Sequence, residues 1–88
     1  MFKIEPYHKE QAKKLNVSIQ PSDKGYSKID VFKDGKYVTS IGDTRYNDFI
    51  SYYKNNGFHY AMERRKLYHQ RHAKDNNIRG FYAKNILW

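Results

Sequence analysis

The chain has no cysteine among its 88 residues, which excludes a disulfide-stabilised scaffold and any metal site built from thiolates. Residues 1–6 lack the apolar stretch of a secretory signal peptide. No segment approaches the run of ~20 apolar residues that a membrane-spanning helix requires. We therefore expect a protein of a reducing compartment that has no membrane partner.

Signatures of enzymatic chemistry are also missing. The sequence contains no glycine-rich phosphate loop, no nucleophile elbow, and no pair of carboxylates with a clear division into acid and base. His69 and His72 are three residues apart, a spacing that can hold a metal ion, but no third ligand is suggested. The sequence thus predicts a protein that is not an enzyme, with no catalytic residues, no metal site and no cofactor.

Positive charge is what the chain has in excess. Lys and Arg number 17 and Asp and Glu number 9, so the formal net charge is +8. The excess is densest in residues 58–88, which hold seven basic and two acidic side chains. A basic domain attracts polyanions, so the predicted partner is nucleic acid, with DNA favoured, or a protein with an acidic surface.

A β-hairpin is the clearest structural feature of the sequence. Two runs with strand character, residues 28–33 and 36–41, flank Asp34-Gly35, the dipeptide most typical of a type I′ turn. Alternation over residues 15–19 indicates a further strand. A two-residue loop also fixes the register, and the predicted pairs are Lys33–Lys36, Phe32–Tyr37, Val31–Val38 and Ile29–Ser40.

Helices are predicted on either side of this hairpin. A short helix over about 48–54 is followed by a longer one over 58–73 and a last one over 81–87, and residues 1–14 form either a short helix or a loosely ordered segment. The sequence therefore predicts a single α+β domain over residues 1–88. A β-hairpin or three-stranded antiparallel sheet would pack against two or three C-terminal helices.

The longest predicted helix carries a basic and aromatic stripe. At roughly 100° per residue, one arc of about 120° holds Arg64, Arg65, Tyr68, Arg71 and His72. Ala61 lies in the middle of this arc, whereas Phe58 and Met62 lie to one side and are predicted to face the core. Guanidinium forks match phosphate oxygens, and a tyrosine can stack on a base or donate its hydroxyl. The predicted nucleic-acid contacts are Arg64, Tyr68, Arg71, Lys74, Arg79 and Lys84.

An intramolecular role is the alternative for part of this stripe. Arg65 and His72 flank the predicted core side, where a structural network of ion pairs and hydrogen bonds would lie. Asp43 and Asp48, in the loop after the hairpin, are the carboxylates that could pair with them.

Three groups of residues carry a family resemblance. The first is Lys28-Ile29-Asp30-Val31, Asp34-Gly35-Lys36-Tyr37 and Ser40-Ile41-Gly42-Asp43, with Tyr46 and Asp48. The second is Arg64-Arg65, Tyr68, Arg71-His72 and Lys74-Asp75, and the third is Gly80-Phe81-Tyr82-Ala83-Lys84 with Ile86-Leu87-Trp88. Over about residues 17–88 the chain resembles small basic proteins of tailed bacteriophages and of large nucleocytoplasmic DNA viruses.

The resemblance implies a viral protein with a virion- or genome-associated role, located in the host cytoplasm or in the virion. It transfers no functional residue to this chain. It also implies that Leu87 and Trp88 fold back as core residues that dock the last helix, which agrees with the usual burial of large apolar side chains.

Two functions follow as predictions. The first is a non-enzymatic viral nucleic-acid-binding protein that contacts backbone phosphate, independently of base sequence, through its basic helix. The alternative is a protein-interaction module, either a minor virion component or an inhibitor of a host protein with an acidic surface.

Overall fold

Three antiparallel strands, in the order β1–β2–β3, form the sheet in a computed structural model that describes all 88 residues. The strands are β1 (Ser18–Pro21), β2 (Ile29–Lys33) and β3 (Lys36–Ile41). The helices are α1 (Pro6–Lys14), α2 (Phe49–Asn56), α3 (Phe58–Arg71) and α4 (Ile78–Tyr82), the last of which runs into a π-helical turn, Ala83–Leu87. The predicted α+β class, with a three-stranded sheet packed against helices, is confirmed. None of the helices combines the length and the hydrophobicity needed to cross a membrane.

The turn between β2 and β3 has the conformation that its sequence predicts. Asp34 and Gly35 have φ angles of 52° and 77°, the left-handed values that both central residues of a type I′ turn must adopt. Next to the turn, Phe32 faces Tyr37 as predicted, and the centroids of their rings lie 6.0 Å apart in an edge-to-face arrangement.

A β-bulge changes the pairing farther from the turn. Val38 is the extra residue, so Val31 faces Thr39 and Ile29 faces Ile41. The register predicted for Val31 and Ile29 is therefore wrong by one residue. The shift places Ile41 on the buried face together with Val31 and Ile29, and Val38 is left only half-buried.

Helix α1 occupies most of residues 1–14, the segment for which the sequence predicted either a short helix or a loosely ordered chain. Pro6 stands at its start, where the fixed φ of proline suits the first helical turn. His8 and Ala12 are buried, and the backbone N–H of Glu5 donates to Nδ1 of His8 at 3.0 Å. Residues 6–14 thus form a helix, which packs against the π-helical turn.

Helix α3 packs through its smallest side chain. Ala61 is fully buried, whereas Phe58 and Met62 are 54% and 39% exposed. The prediction that Phe58 and Met62 face the core is therefore wrong. The alanine lets α3 approach the rest of the molecule closely, and this same face brings Tyr68 to the core.

Side chains from the sheet, from α1, α2 and α3, and from the π-helical turn meet in one hydrophobic core. Ile86, Leu87 and Trp88 are all buried, which confirms the predicted burial of Leu87 and Trp88. Trp88 lies parallel to the ring of Tyr68, at a centroid distance of 4.5 Å and an interplanar angle of 9°. This stack joins the end of the chain to α3.

Burial of His8 predicts that acidification destabilises the fold. Burial lowers the pKa of His8, and the charges of Lys28 and Lys54 act in the same direction, whereas Asp48 and Glu5 oppose it. In the unfolded chain the histidine pKa is about 6.5, so the unfolded state binds a proton at a pH at which His8 in the folded state stays neutral. Stability therefore falls as the pH drops from about 7 to 5. Urea unfolding at pH 7.5, 6 and 5 measures this loss.

The matched variant is His8→Gln, because glutamine at the third helical position can accept the same backbone N–H without titrating. We expect a flatter dependence of unfolding free energy on pH in this variant. Burial also lowers the pKa of His69, but His69 titrates in both proteins and cancels from the comparison. Identical pH dependences would show that His8 makes no contribution.

Gly42, the residue after β3, lies so close to neighbouring side chains that there is no room for a side chain at this position. Its φ is +80°, and an added Cβ would lie 2.7 Å from Cδ1 of Leu87 and 2.9 Å from Cδ of Lys28. Gly35 has nearly the same φ, +77°, but nothing within 4 Å of such a Cβ. We expect Gly35→Ala to cost ~1–2 kcal/mol through backbone strain alone, and Gly42→Ala to cost a further ~1–3 kcal/mol through overpacking. Equal losses of unfolding free energy would contradict the steric argument.

Candidate functional site

A cleft of about 560 Å³ opens where the end of β3 and the loop after it face α3 and α4. Gly42, Asp43 and Tyr46 belong to one wall, and side chains of α3 and α4 form the other. Its most buried lining residues are Lys28, Asp48, Leu87 and Trp88, which therefore form the floor. A concave site of this size is within the range of pockets that hold small ligands.

Four of the six predicted contact residues line this cleft: Arg64, Tyr68, Arg71 and Arg79. Lys74 is exposed and lies outside it. Lys84 also lies outside, since its Nζ donates to the carbonyl oxygen of His72 at 3.0 Å and so satisfies the C-terminal end of α3. The structure thus brings residues of α3 together with Arg79 of α4 at one cleft.

Tyr68 has no free face for a base. Its ring lies between Trp88, at 4.5 Å, and the imidazole of His72, whose centroid is 4.3 Å away. Burial also raises the pKa of the Tyr68 hydroxyl. The stacking role predicted for Tyr68 therefore does not fit this geometry. Tyr46 lines the same cleft and is 70% exposed, so it is the aromatic ring that a ligand can reach.

Each carboxylate of the cleft already has a basic partner. Asp43 accepts from the guanidinium and the backbone N–H of Arg45, and these hydrogen bonds lower the pKa of Asp43 to about 2. Asp75 is 2.6 Å from Nδ1 of His72. Asp48, at the floor, is 3.0 Å from Nζ of Lys28. The cleft therefore holds no carboxylate that lacks a partner.

The network predicted among Arg65, His72, Asp43 and Asp48 is not formed. The two aspartates pair with Arg45 and Lys28, and His72 pairs with Asp75. The guanidinium of Arg65 lies over the ring of Phe49, 5.2 Å from its centroid, and forms no ion pair. None of these four residues therefore pairs with another of the four.

The three arginines of the cleft have no carboxylate partner, because none of the six ion pairs of the protein includes Arg64, Arg71 or Arg79. Arg79 donates from Nε and Nη2 to the carbonyl oxygens of Ser40 and Gly42, at 3.0 and 3.3 Å. These bonds leave its charge unneutralised. Guanidinium is cationic at any pH at which the protein is folded, so this surplus of charge is permanent.

Arg64 is held by packing instead of by charge. Its guanidinium carbon is 5.2 Å from the centroid of the Tyr52 ring. Its Nε is buried, and no acceptor within the protein lies at hydrogen-bonding distance. A buried donor without an acceptor costs free energy, and this Nε is the buried donor of the cleft that the protein itself leaves without an acceptor.

Sequence reasoning missed Lys28 and Tyr46 as members of the site. Lys28 starts a predicted strand and is among the residues that carry the family resemblance, but no local pattern indicates that its ammonium is buried against Asp48. For Tyr46 the sequence does indicate exposure, because an aromatic residue in the polar loop 43–48 has no neighbouring hydrophobic residues in the sequence to pack on.

No three His, Asp or Glu side chains lie together in a way that could hold a metal ion.

No protein-family profile, curated protein or solved structure matches this chain. The geometry of the cleft is therefore the basis for any functional statement.

The burial of the ion pair at the floor predicts that an Asp→Asn substitution lowers stability much more at position 48 than at position 43. The side chains of Lys28 and Asp48 are 5% and 2% exposed, whereas those of Arg45 and Asp43 are 59% and 28% exposed. Asp48→Asn keeps a good N-cap for α2 but leaves the Lys28 charge buried without a partner, which we expect to cost ~3–5 kcal/mol. Asp43→Asn breaks an exposed pair and should cost about 1 kcal/mol or less.

Thermal or urea unfolding of both variants measures the difference. In the double variant Lys28→Met with Asp48→Asn, much of the lost stability should return, because no unpaired charge is left in the core. If Asp48→Asn were as mild as Asp43→Asn, the floor of the cleft would not depend on this pair.

Proposed function

We propose that this protein is a non-enzymatic nucleic-acid-binding protein that holds phosphate in the cleft through Arg64, Arg71 and Arg79. The observation that carries the proposal is that three guanidinium groups line one concave site and none is neutralised by a carboxylate. Guanidinium presents paired N–H donors that match the oxygens of phosphate, so this arrangement suits a phosphate ligand better than it suits a neutral one.

The surroundings of the arginines support the same function. An excess of positive charge in a concave site concentrates its field there and attracts a polyanion from a distance. The net charge of +8 acts in the same direction over the whole molecule. Because Asp43 and Asp48 already pair with Arg45 and Lys28, these two carboxylates compete little with a ligand for the arginines.

Tyr46 supplies the aromatic contact that Tyr68 cannot. It is exposed at the cleft that holds the arginines, so a nucleotide whose phosphate reaches Arg71 or Arg79 can place its base against this ring. Stacking and phosphate contacts are both tolerant of base identity. We therefore expect binding that is largely independent of sequence and weakens steeply with salt.

The viral setting, with a place in the host cytoplasm or the virion, stays a prediction that follows from the sequence resemblance. The choice between DNA and RNA is likewise open to experiment, and DNA is the first ligand to test.

Arg71→Ala should weaken the binding of single-stranded DNA, because Arg71 is exposed, lines the cleft and has no partner within the protein. Loss of one charged phosphate contact should reduce the affinity about tenfold and reduce the salt slope of the affinity by about 1. Fluorescence anisotropy of a labelled oligonucleotide over a series of salt concentrations measures both quantities.

Lys66→Ala is the matched control. Lys66 is on the same helix, is also exposed and loses the same charge, but it lies outside the cleft. Its effect should be less than about twofold, because it changes only the long-range field. Equal effects of the two variants, or an affinity no higher than that of an unrelated basic protein, would contradict the proposed site.

The protein-interaction module is the second candidate, and exposed apolar residues favour it. Ile78 and Phe81 of α4 are exposed beside Val38 of β3, where they line a second and more open groove. Pull-down from a lysate treated with nuclease separates the two functions. Partners that remain bound after the treatment would favour a protein ligand, and partners that are released would favour nucleic acid.

A further inference from the structure

An open basic surface can bind an uninterrupted phosphate backbone along its length. The cleft differs from such a surface in one respect. Its floor is closed by Leu87 and Trp88 and by the buried pair of Lys28 and Asp48. An internal phosphodiester must leave such a site in two directions, because the strand continues on both sides of it. A strand end has only one direction to leave, so a concave site with a closed floor suits an end.

The number of unneutralised cations also favours an end. A phosphomonoester carries a charge of about −1.5 to −2 at pH 7 and offers three unesterified oxygens, whereas an internal phosphodiester carries one charge and two such oxygens. Arg64, Arg71 and Arg79 offer more donors and more charge than a diester can use. The terminal group is therefore the better match.

The three arginines of the cleft differ in burial. Arg71 and Arg79 are exposed, and Arg64 is half-buried, with its guanidinium against the Tyr52 ring and its Nε inaccessible to solvent. A guanidinium set back in this way is accessible to a group that enters the cleft but less so to a backbone that passes across its opening. Since water is partly excluded there, each charged contact is stronger than at an open surface.

We infer that the cleft binds the terminal phosphate of a nucleic-acid strand, a phosphomonoester, in preference to an internal phosphodiester. Arg64 contacts the terminal phosphate at depth, Arg71 and Arg79 contact it from the opening, and Tyr46 stacks on the terminal base. This inference rests on the proposed nucleic-acid-binding function and specifies which part of the strand the site recognises.

Direct comparison of oligonucleotide ends tests the inference. Single-stranded DNA of about 12 nucleotides, labelled internally, is prepared with a 5′-phosphate, with a 3′-phosphate and with hydroxyls at both ends. Anisotropy at about 0.1 M salt should show at least about tenfold tighter binding of one phosphorylated form than of the hydroxyl form, since a charged contact contributes at least this factor. Inorganic phosphate and a mononucleotide, added as competitors, should reduce this preference more than they reduce binding of the hydroxyl form.

Trp88 provides a second readout. It is the one tryptophan of the chain and lies at the floor of the cleft. Its intrinsic fluorescence should change when the preferred phosphorylated oligonucleotide is added, and should change less with the hydroxyl form at equal saturation. A probe at the floor distinguishes entry into the cleft from binding at another basic surface.

Variants assign the preference to this site. Arg64→Gln should abolish the preference for a phosphorylated end, so that the affinities for the phosphorylated and hydroxyl forms become equal within about threefold. Lys66→Gln is the control and should retain the full preference. If Arg64→Gln does not fold, as judged by its circular dichroism and melting temperature, Arg71→Gln replaces it, since Arg71 has no intramolecular partner.

The outcomes separate the two proposals. Equal affinity for all three ends, with binding that still depends on Arg71, would overturn the terminal-phosphate inference and leave the nucleic-acid function intact. No binding of any oligonucleotide above that of an unrelated basic protein would overturn both. A preference that survives both Arg64→Gln and Arg71→Gln would place recognition of the end outside the cleft and overturn the assignment.

Discussion

Lys28 and Asp48 form an almost fully buried ion pair, and the candidate site depends on it. Asp48 uses one carboxylate oxygen to accept the ammonium of Lys28 and the other to accept the backbone N–H of Ser51, which caps α2. One side chain thus fixes the start of α2 to the start of β2. Charges are buried at a cost that only close pairing and additional hydrogen bonds repay, so neither residue can leave this geometry cheaply. The pair also closes the floor of the cleft with a neutral unit.

The end of the chain completes that floor from the other side. Trp88 stacks on Tyr68 of α3, and the ring of Tyr52 of α2 lies 6.0 Å from Trp88. These contacts hold α2 and α3 against the π-helical turn. They also determine which aromatic ring a ligand can reach, because both faces of Tyr68 are covered. The exposed aromatic residue of the cleft is Tyr46, in the loop after the sheet.

The cationic character of the cleft follows from the way its carboxylates are paired. Asp43 and Asp48 form ion pairs with Arg45 and Lys28, and Asp75 lies 2.6 Å from Nδ1 of His72. The acidic residues that could have neutralised Arg64 and Arg71 are therefore occupied, and the arginines stay available. The net charge of a small basic protein says little about function, but three unneutralised guanidinium groups in one concave site are a specific feature, and they are the basis of the phosphate proposals.

Part of the structure was determined by the sequence alone, at places where residues adjacent in the chain decide the local conformation. Asp34-Gly35 determined the hairpin turn, because only residues tolerant of positive φ can form it. The burial of Leu87 and Trp88 was predicted correctly, but apolar character alone did not determine it, because Phe58 and Phe81 are exposed. The bulge at Val38, the inward rotation of α3 around Ala61 and the choice of partner for each charge depended on the tertiary structure. They depend on contacts between residues distant in the chain, such as Arg79 with Ser40 or Lys28 with Asp48, and local periodicity carries no information about such contacts. A helical wheel could group Arg64, Tyr68 and Arg71, but only the packed molecule decided that Tyr68 belongs to the core and the arginines to the cleft.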